Sequence, residues 1–278
     1  MKKLSGVFIC LLLFTFISSA RIIEVADAGI TDKLKAVIAA KNAPAGGGAP
    51  SGNLPTIADT GEASASASGD TLSVEVVTSG SNLTILCFFA YETVSTITSA
   101  IWDPGGDSVN LSKIATASID VAESENHVFI DTWYADDTTG TINDKTENVT
   151  ATWSIVNTGR IGHCVVLNNS EQVAPYIDET ASDTGTPTEI TVGSIPVTIA
   201  NTLLLSMAAI NIGGETFVPD TGETLIYSTS VAAGSANGAG SSYLAKTATA
   251  TEEMNFSWTT GAGRAGMVVV GIEGADVD

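Results

Sequence analysis

From residue 70 to residue 275 the chain predicts an all-β domain, an antiparallel sandwich of two sheets, and three observations carry that prediction. Residues 71–78 alternate Leu72, Val74 and Val76 with Ser73, Glu75 and Val77, the pattern of a strand with one face on a core and the other in water. Short apolar or β-branched runs follow at 82–92, 96–102, 127–134, 148–155, 162–167, 189–192, 201–212, 224–228, 242–246, 254–258 and 266–271, separated by breakers such as Pro104-Gly105-Gly106, Gly213-Gly214 and Gly238-Ala239-Gly240. No helical period runs through the span, and many short strands without helices imply a sandwich or a barrel. One large domain is enough for this length.

Ahead of that domain come three segments. Lys2 and Lys3 precede an apolar run at 7–17, and Ser18-Ser19-Ala20 supplies small residues for cleavage, so residues 1–20 read as a signal peptide. The run falls short of the ~20 residues a helix needs to cross a bilayer. A competing reading cuts after Gly6 and keeps residues 7–41 as the helix of a pilin-like filament subunit; it lacks a Glu at the fifth position after the cut, and Arg21 interrupts the run. Residues 21–41 read as a short amphipathic helical segment, with Thr31 as cap, Asp32 at its positive end and Lys41 at its negative end. Residues 42–69, rich in Ala, Gly, Ser and Pro, read as a flexible linker with too little apolar bulk to offset the entropy of ordering.

Charge narrows the partners. Of 31 carboxylates only Glu24, Asp27 and Asp32 precede residue 42, whereas the basic residues beyond it are Lys113, Lys145, Arg160, Lys246 and Arg264 alone. A surface this negative repels phosphate backbones and anionic lipid, which disfavours nucleic-acid binding and peripheral membrane docking by the domain. It also keeps strand edges of neighbouring molecules apart.

An internal echo runs through the domain. Asn82-Leu-Thr-Ile-Leu-Cys87 returns as Asn201-Thr-Leu-Leu-Leu-Ser206, and Trp153 followed by Gly159-Arg160-Ile161-Gly162 returns as Trp258 followed by Gly263-Arg264-Ala265-Gly266. Each Gly-Arg turn leads into an apolar strand. Duplication into two related halves and convergence between hairpins both account for the echo.

The order Ser81-Asn82-Leu83, then Ile97 to Gly106 with its Trp102-Asp103-Pro104 turn, then Leu111-Ser112-Lys113, Asp131-Thr132-Trp133-Tyr134 and Val149 to Trp153, closing with Met254 to Trp258 and Met267 to Ile272, resembles the jelly-roll-like β-sandwich modules of secreted, cell-surface and phage structural proteins. That resemblance implies a fold and an extracellular or structural habit, and it brings no catalytic residues.

Chemistry-bearing motifs are few. His163 adjoins Cys164, but neighbouring strand residues point to opposite faces and cannot form a dyad. No GxSxG, HExxH, P-loop or GxGxxG occurs. Cys87 and Cys164 lie in apolar strand-like runs, where two readings stand: a disulfide, as an exported chain permits, or two small buried residues. Asp103 and Asp107 bracket the Pro-Gly-Gly turn and Asp136, Asp137 and Asp144 crowd one loop; such hard oxygen ligands suit calcium, and solvated acidic turns are the alternative. Trp102, Trp133 and Tyr134 would serve either as a sugar-stacking platform or as core. The functional expectation is a secreted or cell-surface, non-enzymatic structural or adhesive protein without a cofactor, unless calcium, acting on an extracellular polymer, a glycan or copies of itself. A carbohydrate-binding module and the pilin-like subunit are the alternatives.

Overall fold

The computed structural model describes residues 52–275, apart from 104, 107, 124, 125, 139–141, 143 and 232–236. The segments expected as signal peptide and helix, and the first part of the expected linker, therefore lie outside the described residues. Everything described is strand, turn or irregular chain, and every strand pairing is antiparallel.

The first half of the domain contains β1 (Thr56–Ala65), β2 (Gly69–Thr78), β3 (Thr84–Tyr91), β4 (Ile97–Trp102), β5 (Val109–Asn110), β6 (Ser112–Glu123), β7 (Asn126–Asp136), β8 (Lys145–Asn157) and β9 (Arg160–Asn168). The second contains β10 (Ile177–Asp183), β11 (Glu189–Val197), β12 (Thr202–Ile210), β13 (Val218–Pro219), β14 (Thr224–Ser230), β15 (Gly238–Lys246), β16 (Ala250–Ser257) and β17 (Ala265–Glu273).

The strands form four sheets, and their orders repeat from the first half to the second. The sheet β1-β9-β3-β7-β6 is matched by β10-β17-β12-β15-β14, and β2-β8-β4-β5 by β11-β16-β13. Each half is a two-sheet sandwich whose chain passes repeatedly from one sheet to the other, with pairs of consecutive strands inside one sheet at β4-β5, β6-β7 and β14-β15, a jelly-roll-like winding. The single two-layered core expected from the sequence is thus two sandwiches packed together. The echo between residues 82–87 and 201–206 is the entry to the central strand of each half. Asn82 (φ 51°) and Asn201 (φ 57°) both take the left-handed conformation there, which Asn tolerates better than most residues.

Three apolar layers hold the four sheets. Leu72, Val74, Trp102, Ala151, Trp153, Phe89 and Cys164 fill the first sandwich. Ile190, Val192, Leu204, Phe217, Phe256 and Val269 fill the second. Between the sandwiches, Leu86, Phe88, Ile130 and Val165 of one sheet meet Leu205, Met207, Val268 and Val270 of the other. The central strands β3 and β12 are therefore buried along both faces, which is why their sequences run apolar without alternation.

Contacts between the halves are exchanged in a regular way. β1 lies against β14 and β6 against β10, while β10 occupies the place of β1 and β14 that of β6. Such reciprocal contacts are those of an approximate two-fold relation, as in an isologous dimer.

One boundary needs correction. The linker expected over 42–69 reaches into the domain, because Thr56–Ala65 is an edge strand paired with β9 from Thr56↔Asn168 to Ala65↔Arg160. Small residues are required there: a Cβ on Gly61 would stand 2.0 Å from the Glu75 carbonyl of β2. Ala58, Ala63 and Ala65 pack against the first core. Tight crossing of two strands, rather than looseness, explains the low apolar bulk.

Close packing gives a similar constraint in the second sandwich. The Phe217 ring sits on Gly240, whose Cβ would lie 2.5 Å from Phe217 Cβ. Gly240→Ala is expected to displace that ring and destabilise the chain by about 1–3 kcal/mol, as overpacking does, read as a lower urea midpoint at unchanged slope. An unchanged midpoint would show that the ring moves freely.

Candidate functional site

Of the aromatic residues that the sequence leaves open between sugar platform and core, the two tryptophans are core. Trp102 is wholly buried and Trp133 is 8% exposed, both in the first sandwich. Tyr134 is half-buried against the layer between sandwiches, and burial raises its hydroxyl pKa. Large strand aromatics bury more apolar area than any other side chain, so the alternating position that carries them faces inward.

The acidic residues disperse. Asp136 Oδ1 accepts from the Thr138 amide at 3.0 Å and its hydroxyl at 2.6 Å. Asp137 Oδ2 accepts the Leu83 amide at 3.0 Å, and Asp144 Oδ1 accepts the Gly80 amide at 3.2 Å. Each carboxylate thus satisfies backbone donors at a strand end. Asp107 lies outside the described residues, and no group of three metal-type side chains gathers among the described ones.

Cys87 and Cys164 are joined in a disulfide. They face each other across β3 and β9, fully buried in the first core. The corresponding pair in the second half is Ser206↔Val269, and Ser206 instead shares a 2.8 Å hydrogen bond with Ser242. Ser242 in turn donates to Glu223 at 2.5 Å, and burial raises the pKa of that carboxyl.

Two lysine–aspartate pairs, neither visible in the sequence, stand at buried carboxylates. On β6 and β7, Lys113 Nζ lies 2.6 Å from Asp131 Oδ1, and the Tyr91 hydroxyl donates to Asp131 Oδ2 at 3.0 Å. Burial, together with the charge of Asp131, raises the Tyr91 pKa, so Tyr91 stays a proton donor at any physiological pH.

The second pair sits where β4 ends. Asp103 is 3% exposed and left-handed, φ 50°, a conformation that Asp, like Asn, adopts more readily than most residues. Its amide donates to the Asn148 carbonyl at 2.9 Å. Its own carbonyl oxygen accepts three donors: the Gly106 amide at 3.0 Å, the Ser108 amide at 3.1 Å and the Ser108 hydroxyl at 3.3 Å. Its carboxylate rests on Gly106, where a Cβ would come within 2.2 Å of Oδ2. Lys145 Nζ stands 2.9 Å from that same oxygen and 5.7 Å from the centre of the Trp102 ring. The sequence offers Asp103 either as a calcium ligand or as part of a solvated acidic turn; the structure gives it a lysine partner contributed by β8.

His163 forms no dyad with Cys164, whose sulfur is held in the disulfide. It points away from Cys164 into the layer between sandwiches, where its Nε2 meets Thr229 Oγ1 at 3.1 Å, and Thr229 donates to Glu62. Full burial lowers its pKa to about 3.

A shallow cleft of about 190 Å³ is lined by Gly52, Glu171, Val173, Asn201 and Glu273, smaller than the ~300 Å³ from which small-molecule sites begin. Compared with known protein families, with characterised proteins and with solved structures, the chain matches none of them.

Proposed function

We propose that the chain is a secreted or cell-surface, non-enzymatic structural or adhesive protein whose double-sandwich head meets its partner over a surface rather than in a cleft. The observation that carries this reading is how the polar chemistry is disposed. Asp103, Asp131 and Asp136 are tied to lysines and hydroxyls of the chain itself, while the outer face of the β2-β8-β4-β5 sheet presents hydroxyl and amide groups. Ser73 and Thr150 are joined there at 2.9 Å, beside Thr71↔Thr152 and Glu75↔Asn148.

An apolar rim supports the same reading. Val94, Ile155 and Val156 are 62%, 51% and 58% exposed, and the Thr96–Ser154 pairing at 3.2 Å brings them to one end of the first sandwich. Exposed apolar clusters of this kind suit protein or polymer contact. Calcium is no part of this proposal, nor is a tryptophan platform for sugars. The partner is an extracellular polymer, a glycan or a second copy.

The test is where the chain resides and where it begins. Expressed in its native host, the protein is expected in the medium or accessible to a membrane-impermeant label on intact cells, with a mature N-terminus near Arg21. A chain that starts at Met1 and stays in the cytosol would overturn the proposal, and one that starts at Val7 within filaments would replace it with the pilin-like reading.

A further inference from the structure

Tyr91, Lys113 and Asp131 bring an amine, a carboxyl group and a proton donor into contact at one edge of the first sandwich. Lys113 lies on the edge strand β6 opposite Trp133, and Asp131 is its diagonal neighbour on β7, within reach of a long side chain. Lys113 Nζ stands 2.6 Å from Asp131 Oδ1, and the two side chains are 35% and 5% exposed. The Tyr91 hydroxyl lies 3.0 Å from Oδ2, nearer than to the Ser95 carbonyl at 3.4 Å. Phe129 stacks on the Tyr91 ring at 4.9 Å and Trp153 meets it edge-on at 5.7 Å, so the hydroxyl is held in place. One carboxyl oxygen therefore faces an amine and the other a phenol.

The fold does not require this trio. By the strand register repeated in the second half, Phe89↔Asp131 corresponds to Ala208↔Gly240 and Lys113↔Trp133 to Leu225↔Ser242. The positions matching Tyr91, Lys113 and Asp131 are thus Ile210, Leu225 and Gly240, and that sandwich closes without an ion pair there. A buried ion pair also adds little net stability, because desolvation offsets its attraction.

We propose that Lys113 and Asp131 condense into an isopeptide bond, with Tyr91 as the donor that polarises the carboxyl group. The pair first exchanges a proton, from Nζ to Oδ1, a step that burial favours because it removes charge from a region of low dielectric. The neutral amine then attacks Cγ of Asp131. As the C–N bond forms, negative charge gathers on Oδ2, where the Tyr91 hydroxyl donates at the distance such stabilisation needs. Nζ gives a second proton to Oδ1, the Cγ–Oδ1 bond breaks, and Oδ1 leaves as water past the exposed third of the lysine. The product is a secondary amide, one water molecule is released, and nothing is oxidised. Held reactants reach effective concentrations of ~10⁵ M or more, which drives a condensation that a free amine and carboxylate do not undergo in water.

The bond would fasten an edge. Ser112, Lys113 and Ile114 pair with β7 ahead of the register shift between Ile114 and Ile119, so a short stretch of edge strand gains a covalent tie to its neighbour. This inference goes beyond the surface reading and stands apart from it: where the chain resides and where it begins leave the bond untouched.

Mass spectrometry of the full-length protein, purified folded and then reduced, tests the proposal. The wild type is expected to be one water molecule lighter than its own mature sequence, and Lys113→Arg, which keeps the charge, to have its full sequence mass. Trypsin is expected to pass over Lys113 and release a single peptide, 42–145, one water molecule light; further digestion after glutamate is expected to leave 93–123 joined to 126–145. Tyr91→Phe, which keeps the ring and the ion pair, is expected to be largely linear at harvest, since losing one such donor slows a reaction roughly 10²-fold or more. A folded wild type of full mass, or one cut at Lys113, overturns the proposal whatever the variants do. So does a lost water that maps outside the two joined peptides, or a Tyr91→Phe chain converted as completely as the wild type.

Discussion

Cys164→Ala is expected to cost about 4 kcal/mol, the largest single loss of stability in the first sandwich. The disulfide closes a loop of 77 residues, and in the chain-entropy description a closure of that length restricts the unfolded state by about 4.5 kcal/mol at 25 °C. Reduction of the wild type should reproduce most of the effect, since it removes the same constraint while keeping both side chains buried. Urea denaturation with and without reductant checks this, and a difference below about 1 kcal/mol would mean that the unfolded chain is already held compact by other means. The duplicate half sharpens the expectation. At the position matching Cys87, Ser206 has Ser242 as a partner at 2.8 Å, whereas the strand neighbour of Cys87 on the corresponding side is Trp133. Cys87→Ser should therefore be worse than Cys87→Ala, because a buried hydroxyl without a partner costs roughly 1–3 kcal/mol.

His163 should make the joint between the sandwiches sensitive to acid. In the folded chain its pKa is lowered to about 3 by burial, against about 6.5 for a free imidazole. Between those values the unfolded chain binds a proton that the folded chain refuses. The stabilisation is thus complete above pH 6.5, and is lost as pH falls from 6.5 towards 3, at up to about 1.4 kcal/mol per pH unit. Acid also protonates many carboxylates of this acidic chain, so the contribution of His163 is read by difference. His163→Gln, which keeps a polar atom near Thr229 Oγ1, is expected to lower stability at pH 7.5 by about 1 kcal/mol and to flatten the decline between pH 6 and pH 4 relative to wild type. Parallel pH curves for the two proteins would show that the imidazole escapes to water before it protonates.

The strands were legible because their side chains obey a period of two, or none. Residues 71–78 alternate and form a half-buried strand; residues 84–91 do not, and are buried on both faces. A run of unbroken apolar residues in an acidic, β-rich chain signals a strand between two packed layers, a clue that two layers alone could not accommodate. The echo of Asn82 and Asn201 likewise foreshadowed the repeated strand order, since both enter central strands in the same left-handed conformation.

What failed did so where composition stood in for contact. Thr56–Ala65 looked like tether because its residues are small, and they are small because Gly61 crosses the Glu75 carbonyl. Trp102 and Trp133 stood open between platform and core because tryptophan serves both roles, and only burial separates them. Lys145 carried no signal at all: it lies 42 residues from Asp103, and nothing in either local sequence requires the other.

By itself the sequence determined the class of structure and the sign of its surface, because alternation, turn residues and net charge are properties of short stretches and of sums. Tertiary structure alone decided that there are two sandwiches rather than one, that Cys87 meets Cys164, that a histidine is sealed between the halves, and that a lysine is delivered to Asp103. Each of those is a meeting of residues far apart in the chain, fixed by strand register and layer packing, and no local pattern of side chains encodes which distant strand will arrive.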